Sequence, residues 1–552
     1  MILDAIFHNG RIHTMDRDRP TATSLGMING RIAGLDGELD GLSARRTVNL
    51  GGATVVPGFN DAHHHLSMRG QRLRALDLMD GQVGTLDELY EAVRTFAAEL
   101  PDGAWVRGSG YDQNKIGSHP TAEDLDRVSG GRPVFLEHVS GHMGVANTAA
   151  FERAGFSGRQ GVPDVDGGHV PRDSAGAAHG LLQERAMSLV TDAFRPLDLE
   201  EIIKNIAEAS RVGLSEGLTS ATEPGIGTIA GIGNSPLDLH AFQLARETGA
   251  LGLRMTLMPY ITALHDVDSG NGNTLGRGLD LGLRSGFGDE WLRIGPVKIL
   301  ADGSLIGRSA AMHDCYHGED HNKGFMQYEA GELETLLLGA HRNGWQLALH
   351  AIGDAAVDHA LDLFETAQRD CPREDPRFRI EHFAVASDQQ ISRAAGLGVI
   401  AVPQGRFITE LGDGMIAALG EERSAHLYRM RSLLNAGMVL PGSTDSPVVD
   451  GSPLKNIHDM VNRRTANGQL VAPQEALTVE QAVYASTVGS AYAVREEHLK
   501  GSLSRGKLAD FVVLSDDLFT VPPENIAEIT VGATVVGGEV AFDAGVLAGS
   551  SR

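Results

Sequence analysis

Between about residues 55 and 440, short apolar runs alternate with stretches of helical period, and no other feature narrows the fold so much. Candidate strands precede His63 and recur at Thr219–Thr222, Leu253–Met258, Pro296–Leu300, Trp345–Leu349, Phe378–Ile380, Val399–Val402 and Met438–Leu440. After Leu349, the residues Val357, Ala360, Leu361 and Phe364 fall at i, i+3, i+4 and i+7, the stripe of an amphipathic helix. Continuous apolar runs suit parallel strands covered on both faces, and parallel neighbours need a crossover helix. Eight such units predict an α/β chain whose body is a (β/α)8 TIM barrel, with its chemistry at the C-terminal ends of the strands.

The interval from about 70 to 210 is too long for one connection and holds a further strand-like run, Pro133–Leu136. It is read as an insertion near the barrel mouth. The chain ends carry a different signal. Asn9-Gly10 and Asn29-Gly30 offer the positive φ angles of tight hairpins, and Gly537-Gly538 does the same between Thr534-Val535-Val536 and Glu539–Phe542. With Leu508–Leu514 as another strand, both ends are expected to meet in a small β-sandwich. The resulting division is 1–56 for its first part, 57–490 for the barrel and 491–552 for its second part.

The 47 basic and 72 acidic residues give a net charge of -25, which opposes binding to nucleic acid or an anionic membrane. A small-molecule substrate is the expectation, with a homodimer left open. Two cysteines, Cys315 and Cys371, exclude a disulfide framework and a cysteine-rich zinc site. No basic segment followed by a long apolar one opens the chain, and no window reaches membrane-spanning length, so a cytoplasmic location is expected.

The chemistry begins where Val55-Val56-Pro57-Gly58-Phe59-Asn60-Asp61-Ala62 runs into His63-His64-His65. Side chains alternate across a strand, so His63 and His65 share a face and His64 points away. Two imidazoles converging from one strand end form half of a metal site. Polar residues recur where later strands should end: Lys298, His350, His382 in Arg379-Ile380-Glu381-His382, and Asp445 in Gly442-Ser443-Thr444-Asp445-Ser446-Pro447. Each has a plain structural reading: a core imidazole for His350, a pair with Glu381 for His382, a barrel salt bridge for Lys298, a helix cap for Asp445. Gly213-Leu214-Ser215-Glu216-Gly217 spells a nucleophile elbow, but it has a helical segment before it and a strand after it, the reverse of what the elbow requires.

The order His-x-His, Lys, His, His, Asp resembles the binuclear branch of the amidohydrolase superfamily, and the local wording is similar to its YtcJ-like subgroup, amidohydrolase family 3. The similar segments are Pro57–His63, Lys298 with Asp302-Gly303-Ser304, His350–Asp354, Glu381-His382, Ser443–Pro447 and the ending Gly501-Ser502-Leu503 with Gly506–Asp510. The resemblance implies a metal-dependent hydrolase that cleaves an amide-type C–N bond. It implies two divalent ions, zinc being the expected metal, held by His63 and His65 on one side and His350 and His382 on the other. Lys298, carboxylated by carbon dioxide, would bridge them. A bare ammonium would repel the ions, whereas a carbamate is an anionic oxygen ligand. Asp445 would bind the first ion, take a proton from the bridging water and pass it to the leaving amine. With Lys298 unmodified, one ion held by His63, His65, His350 and Asp445 would resemble the mononuclear deaminases. A catalytically silent, ligand-binding regulatory barrel is the reading from another class. Tyr111 and His142 fall in segments that resemble pocket-forming parts of the subgroup, and Arg308 is a candidate carboxylate binder. Asp302 and Gly303 are expected to set a turn rather than react.

Overall fold

The computed structural model describes residues 2–79, 82–139, 143–228, 233–268, 270 and 274–547. The chain divides into two compact units, one of residues 1–66 with 210–552 and the other of residues 67–209. No helix among the described residues is long and apolar enough to cross a membrane.

In the first unit eight short strands carry the site. They are β1 (Phe59–Asp61), β2 (Leu218–Ile226), β3 (Arg254–Pro259), β4 (Leu292–Ile294), β5 (Val297–Leu300), β6 (Leu347–Ala351), β7 (Arg379–His382) and β8 (Ile400–Val402). They form two four-stranded sheets, β4-β3-β2-β1 and β5-β6-β7-β8, and every ladder within them is parallel. A bridge between Tyr260 and Lys298 joins the sheets on one side. The expected strand Pro296–Leu300 forms as β5, and the short strand β4 precedes it. Pro296 has no N–H to donate, so the ladder stops at Gly295-Pro296 and resumes at Val297.

The expected strand Met438–Leu440 does not form. Pro441 follows it, and the chain is tied instead through irregular bonds: the Ala62 N–H donates to Gly442 O at 3.0 Å, the Asp445 N–H donates to His63 O at 2.8 Å, and Ser443 makes a parallel bridge with Gln404. Segment 442–445 is therefore bonded to the chain just beyond β1 on one side and just beyond β8 on the other. Helices cover the outer faces. In Asp354–Asp370 the expected stripe Val357, Ala360, Leu361 and Phe364 is fully buried, with Phe364 stacked on Phe378 at 4.5 Å.

Strands from both chain ends interleave in one six-stranded sheet, in the order Glu539–Asp543, Val531–Val536, Phe511–Leu514, Thr54–Pro57, Arg11–His13, Thr21–Ala22. A four-stranded sheet, Arg31–Leu35, Leu25–Ile28, Ile2–His8, Ser43–Asn49, shares its apolar core, where Phe7 meets Phe511 edge to face at 5.0 Å. Asn29-Gly30, both at positive φ, makes a hairpin. Asn9-Gly10 does not. It carries the chain from one sheet to the other, and a Cβ on Gly10 would come within 2.6 Å of the Leu50 side chain. The terminal sheet is fastened to β3 by a buried ion pair in which the Arg254 guanidinium donates to both Asp510 oxygens at 2.7 and 3.1 Å.

The second unit has a mixed six-stranded sheet in the order Gly168–His169, Leu181–Glu184, Met143–Ala146, Val134–His138, Val106–Tyr111, Leu76–Asp77. The run at Pro133–Leu136 is one of its central strands. Its helix Leu86–Glu99 begins with a capping box of Thr85 and Glu88 and buries Leu89, Val93 and Ala97.

Candidate metal centre

Beyond β1 the backbone is organised by Asp61. Its carboxylate accepts hydrogen bonds from the His63 N–H at 3.1 Å, the Thr444 N–H at 3.1 Å, the Thr444 hydroxyl at 2.5 Å and His64 Nδ1 at 3.0 Å. His64 is thereby held in a structural knot, while His63 and His65 converge with ring centroids 5.5 Å apart. Their Nε2 atoms lie 3.4 and 3.2 Å from the same Asp445 oxygen. Asp445 has φ +62, a strained value for a residue with a side chain, held in place by its bond to His63 O.

Register places the groups of the other sheet. Lys298 pairs with Ala348, Leu300 with His350 and His350 with Glu381, and paired residues of parallel strands share a face. Lys298, His350 and Glu381 therefore stand on one face. His382 ends β7 at φ +74, which swings its ring to 5.1 Å from that of His63 and 4.4 Å from that of His350. His63, His382 and Asp445 each offer a ligand atom, all within 4.8 Å of one another.

The partners of the imidazoles fix their tautomers. Glu381 Oε2 can only accept, so the His63 Nδ1–H donates to it at 2.5 Å. The Gln404 amide nitrogen donates to Val402 O and Ser443 Oγ, which turns its oxygen to accept from the His382 Nδ1–H at 2.9 Å. The His350 Nε2–H donates to Gly303 O at 3.1 Å. Each ring keeps its other nitrogen as a lone-pair donor, the arrangement that orients metal-ligating histidines. Burial, reinforced by the nearby Lys298 and by other imidazoles, holds His63 and His382 well below the usual histidine range and pushes His350 down to about 3. Three neutral imidazoles result. His65 adds a buried Nδ1 with no partner among the described residues.

Lys298 is 1% exposed, and its amine makes no hydrogen bond or ion pair among the described residues. Burial pushes its pKa down to about 8, against the pull of Glu381 and Asp445. An orphaned, readily neutral amine is the form that reacts with carbon dioxide, so the site fits a carbamate here. Neutral imidazoles with a carboxylate fit one or two divalent ions of the zinc type.

Glu381 plays a part that the sequence did not disclose. It pairs with His63 rather than His382 and is held by Arg379, whose Nε and Nη2 donate to its two oxygens at 2.7 and 2.9 Å, all three side chains being buried. The available signal was an arginine and a glutamate two apart in an apolar strand, hence on one face. Asp302 accepts from the N–H groups of Ala311, Ile352 and Gly353 at 3.0, 3.1 and 2.9 Å, which ties its loop to the segment after β6. Arg308 is engaged by Glu319 and by His317 O in its own loop, which leaves a carboxylate-binding role without a free guanidinium edge on that side. Tyr111 lies in the second unit, buried, with its hydroxyl 3.0 Å from His119 Nδ1. His142 lies outside the described residues.

A family model described as "Amidohydrolase family" matches residues 46–542. The chain belongs to the amidohydrolase family. Among its relatives, the Arabidopsis thaliana Protein LONG AFTER FAR-RED 3 is 32% identical over 98% of this chain and 91% of its own length. The putative amidohydrolase YtcJ of Bacillus subtilis (strain 168) is 28% identical over 98% of this chain and 100% of its own length. The N-substituted formamide deformylase of Arthrobacter pascens is 29% identical over 98% of each. Among solved structures, an uncharacterized metal-dependent hydrolase from Pyrococcus horikoshii OT3 superposes with a TM-score of 0.77 at 26% identity, covering 94% of this chain and 99% of that one. Amidohydrolase membership also accounts for the parallel strands and helices of the first unit as a (β/α)8 barrel-type fold.

Proposed function

We propose that this amidohydrolase hydrolyses an amide-type C–N bond of a small molecule on a (β/α)8 barrel of residues 57–490. The barrel would close through segment 442–445, with a β-sandwich made from residues 1–56 and 491–552 and an insertion at about 70–210. The family, the deformylase relative and the metal-dependent hydrolase structure support that reaction class. The observation that carries the reading is the convergence of His63, His382 and Asp445 beside imidazoles whose tautomers leave a ring nitrogen free.

His63, His65 and Asp445 would hold one divalent ion and His350 and His382 a second, with Lys298 as a bridging carbamate. Bound there, such ions supply Lewis acidity and bring the pKa of water towards about 7. Asp445 accepts the proton released as water attacks the carbonyl carbon. It returns that proton to the nitrogen as the C–N bond breaks, leaving a carboxylic acid and an amine. Arg379 and Glu381 hold His63 in its tautomer, and Gln404 does the same for His382. The test is metal analysis with assays on N-substituted formamides and other small amides after loading with zinc and bicarbonate. Metal-dependent release of amine supports the reading, and an inert, metal-free chain contradicts it. The compact His63, His382, Asp445 cluster would also serve a single-ion deaminase. Ammonia release with one ion per chain selects that reading.

A further inference from the structure

Asp61 is 4% exposed, and its carboxylate joins two stretches of chain that lie 383 residues apart. One oxygen, Oδ1, accepts from the backbone N–H groups of His63 and Thr444, each at 3.1 Å. The other, Oδ2, accepts from the Thr444 hydroxyl at 2.5 Å and from the His64 Nδ1–H at 3.0 Å. Each oxygen therefore holds both stretches at once. Neither stretch can shift against the other without breaking bonds at both oxygens.

Both stretches carry groups of the candidate metal centre directly beside this clamp. His63 and His65 follow Asp61 in one, and Asp445 follows Thr444 in the other. Backbone bonds continue the join, from the Asp445 N–H to His63 O and from the His65 N–H to Ser446 O, each at 2.8 Å. The Thr444 hydroxyl also accepts from the Ser446 N–H at 3.2 Å, a bond that spans Asp445 at its φ of +62. At the end of the join the Nε2 atoms of His63 and His65 lie 3.4 and 3.2 Å from the same Asp445 oxygen. A plain backbone ladder would link the two stretches without burying a charge. Asp61 instead places a carboxylate there that no lysine or arginine pairs with among the described residues, a costly group to bury for stability alone.

We infer that Asp61 is a positioning residue for the metal centre: with the Thr444 hydroxyl it sets the imidazoles of His63 and His65 against the Asp445 carboxylate, so metal affinity and rate depend on it. This inference rests on the roles proposed above for His63, His65 and Asp445. Asp61→Asn keeps one oxygen for the two backbone N–H groups, but the new NH2 group cannot accept from Thr444 or His64. Thr444→Val removes the hydroxyl from the same clamp with little change of volume, and Thr444→Ser keeps it.

The test compares full-length wild type with these three variants and the double variant of Asp61→Asn and Thr444→Val, each at a temperature where its far-UV circular dichroism is native. Asp61→Asn and Thr444→Val are each expected to weaken zinc affinity about 10–100-fold and to lower kcat about tenfold or more with KM little changed. Thr444→Ser should restore most of both. The double variant should bind zinc about as weakly as the weaker single one, because partners in one hydrogen-bond network are not additive. The inference is overturned if Asp61→Asn and Thr444→Val melt lower yet keep zinc affinity and kcat within about twofold of wild type, which would make the carboxylate structural only. Losses that simply add in the double variant, or a Thr444→Ser protein as impaired as Thr444→Val, would also overturn it. If His63→Ala or Asp445→Asn leaves zinc affinity intact, the roles proposed for those ligands fail and take this inference with them.

Discussion

Replacing Glu381 by glutamine separates two functions that one carboxylate performs. Glu381 accepts two bonds from Arg379, at 2.7 and 2.9 Å, and one from His63 at 2.5 Å, with side-chain exposures of 0%, 0% and 1% for Glu381, Arg379 and His63. Removing the charge leaves Arg379 buried without a counter-ion, a loss of about 3–5 kcal/mol. The glutamine has one oxygen, which Arg379 will take, so its NH2 group faces His63. That NH2 must donate to Nδ1, the proton moves to Nε2, and the ring loses the lone pair it presents beside Asp445. Zinc affinity should then fall about 10–100-fold. Urea unfolding of the metal-free protein measures the first effect and a competitive zinc titration the second. The double variant Arg379→Met with Glu381→Leu separates them further. An apolar replacement of the whole pair should restore most of the stability and leave zinc binding impaired. A Glu381→Gln protein that unfolds within about 0.5 kcal/mol of wild type and binds zinc equally well would refute the reasoning.

Three other perturbations have defined outcomes. His63→Ala and Asp445→Ala should each abolish turnover while far-UV circular dichroism stays native, and retained turnover in either variant would remove that residue from the site. Lys298→Ala should lose activity and bridging capacity together, with partial recovery on adding a short carboxylate such as acetate or propionate. Recovery with an alkylamine instead would argue that Lys298 acts as a cation. Metal-free stability should rise with pH between about 4 and 6.5. There His63, His350 and His382 bind protons only when unfolded, their folded pKa values being depressed, whereas Asp302, raised to about 7 chiefly by burial, holds its proton only when folded. The buried imidazoles outnumber that one carboxyl, so among these four groups the unfolded chain binds more protons and stability climbs with pH. A flat profile across that window in urea titrations would show that the imidazoles are protonated in the folded chain.

The parts of the site that could be read from the sequence are those set by local chain geometry. His63 and His65 share a strand face whatever the rest of the chain does. Likewise Lys298 interrupts, and His350 and His382 follow, apolar runs that read as buried strands and form β5, β6 and β7. What escaped was pairing over long sequence distance. Glu381 holds His63 across 318 residues, and Asp61 receives Thr444 across 383. A strand read in isolation suggests Glu381 beside its neighbour His382 and gives no hint of either. Met438–Leu440, apolar enough for a strand, joins no ladder, and Pro441 directly after it has no N–H to offer one. Asn9-Gly10 has hairpin chemistry yet spans two sheets, because turn residues specify a local bend and not which strands it joins.

Anomalous diffraction at the zinc edge, from crystals grown with zinc and bicarbonate, tests the central claim most directly. The account predicts two peaks about 2.0–2.1 Å from imidazole nitrogens of His63, His65, His350 and His382. It also predicts a carboxylate on the Lys298 amine between those peaks. Zinc bound elsewhere, or a site in which His63 and His382 hold no ion while the protein remains active, would contradict it.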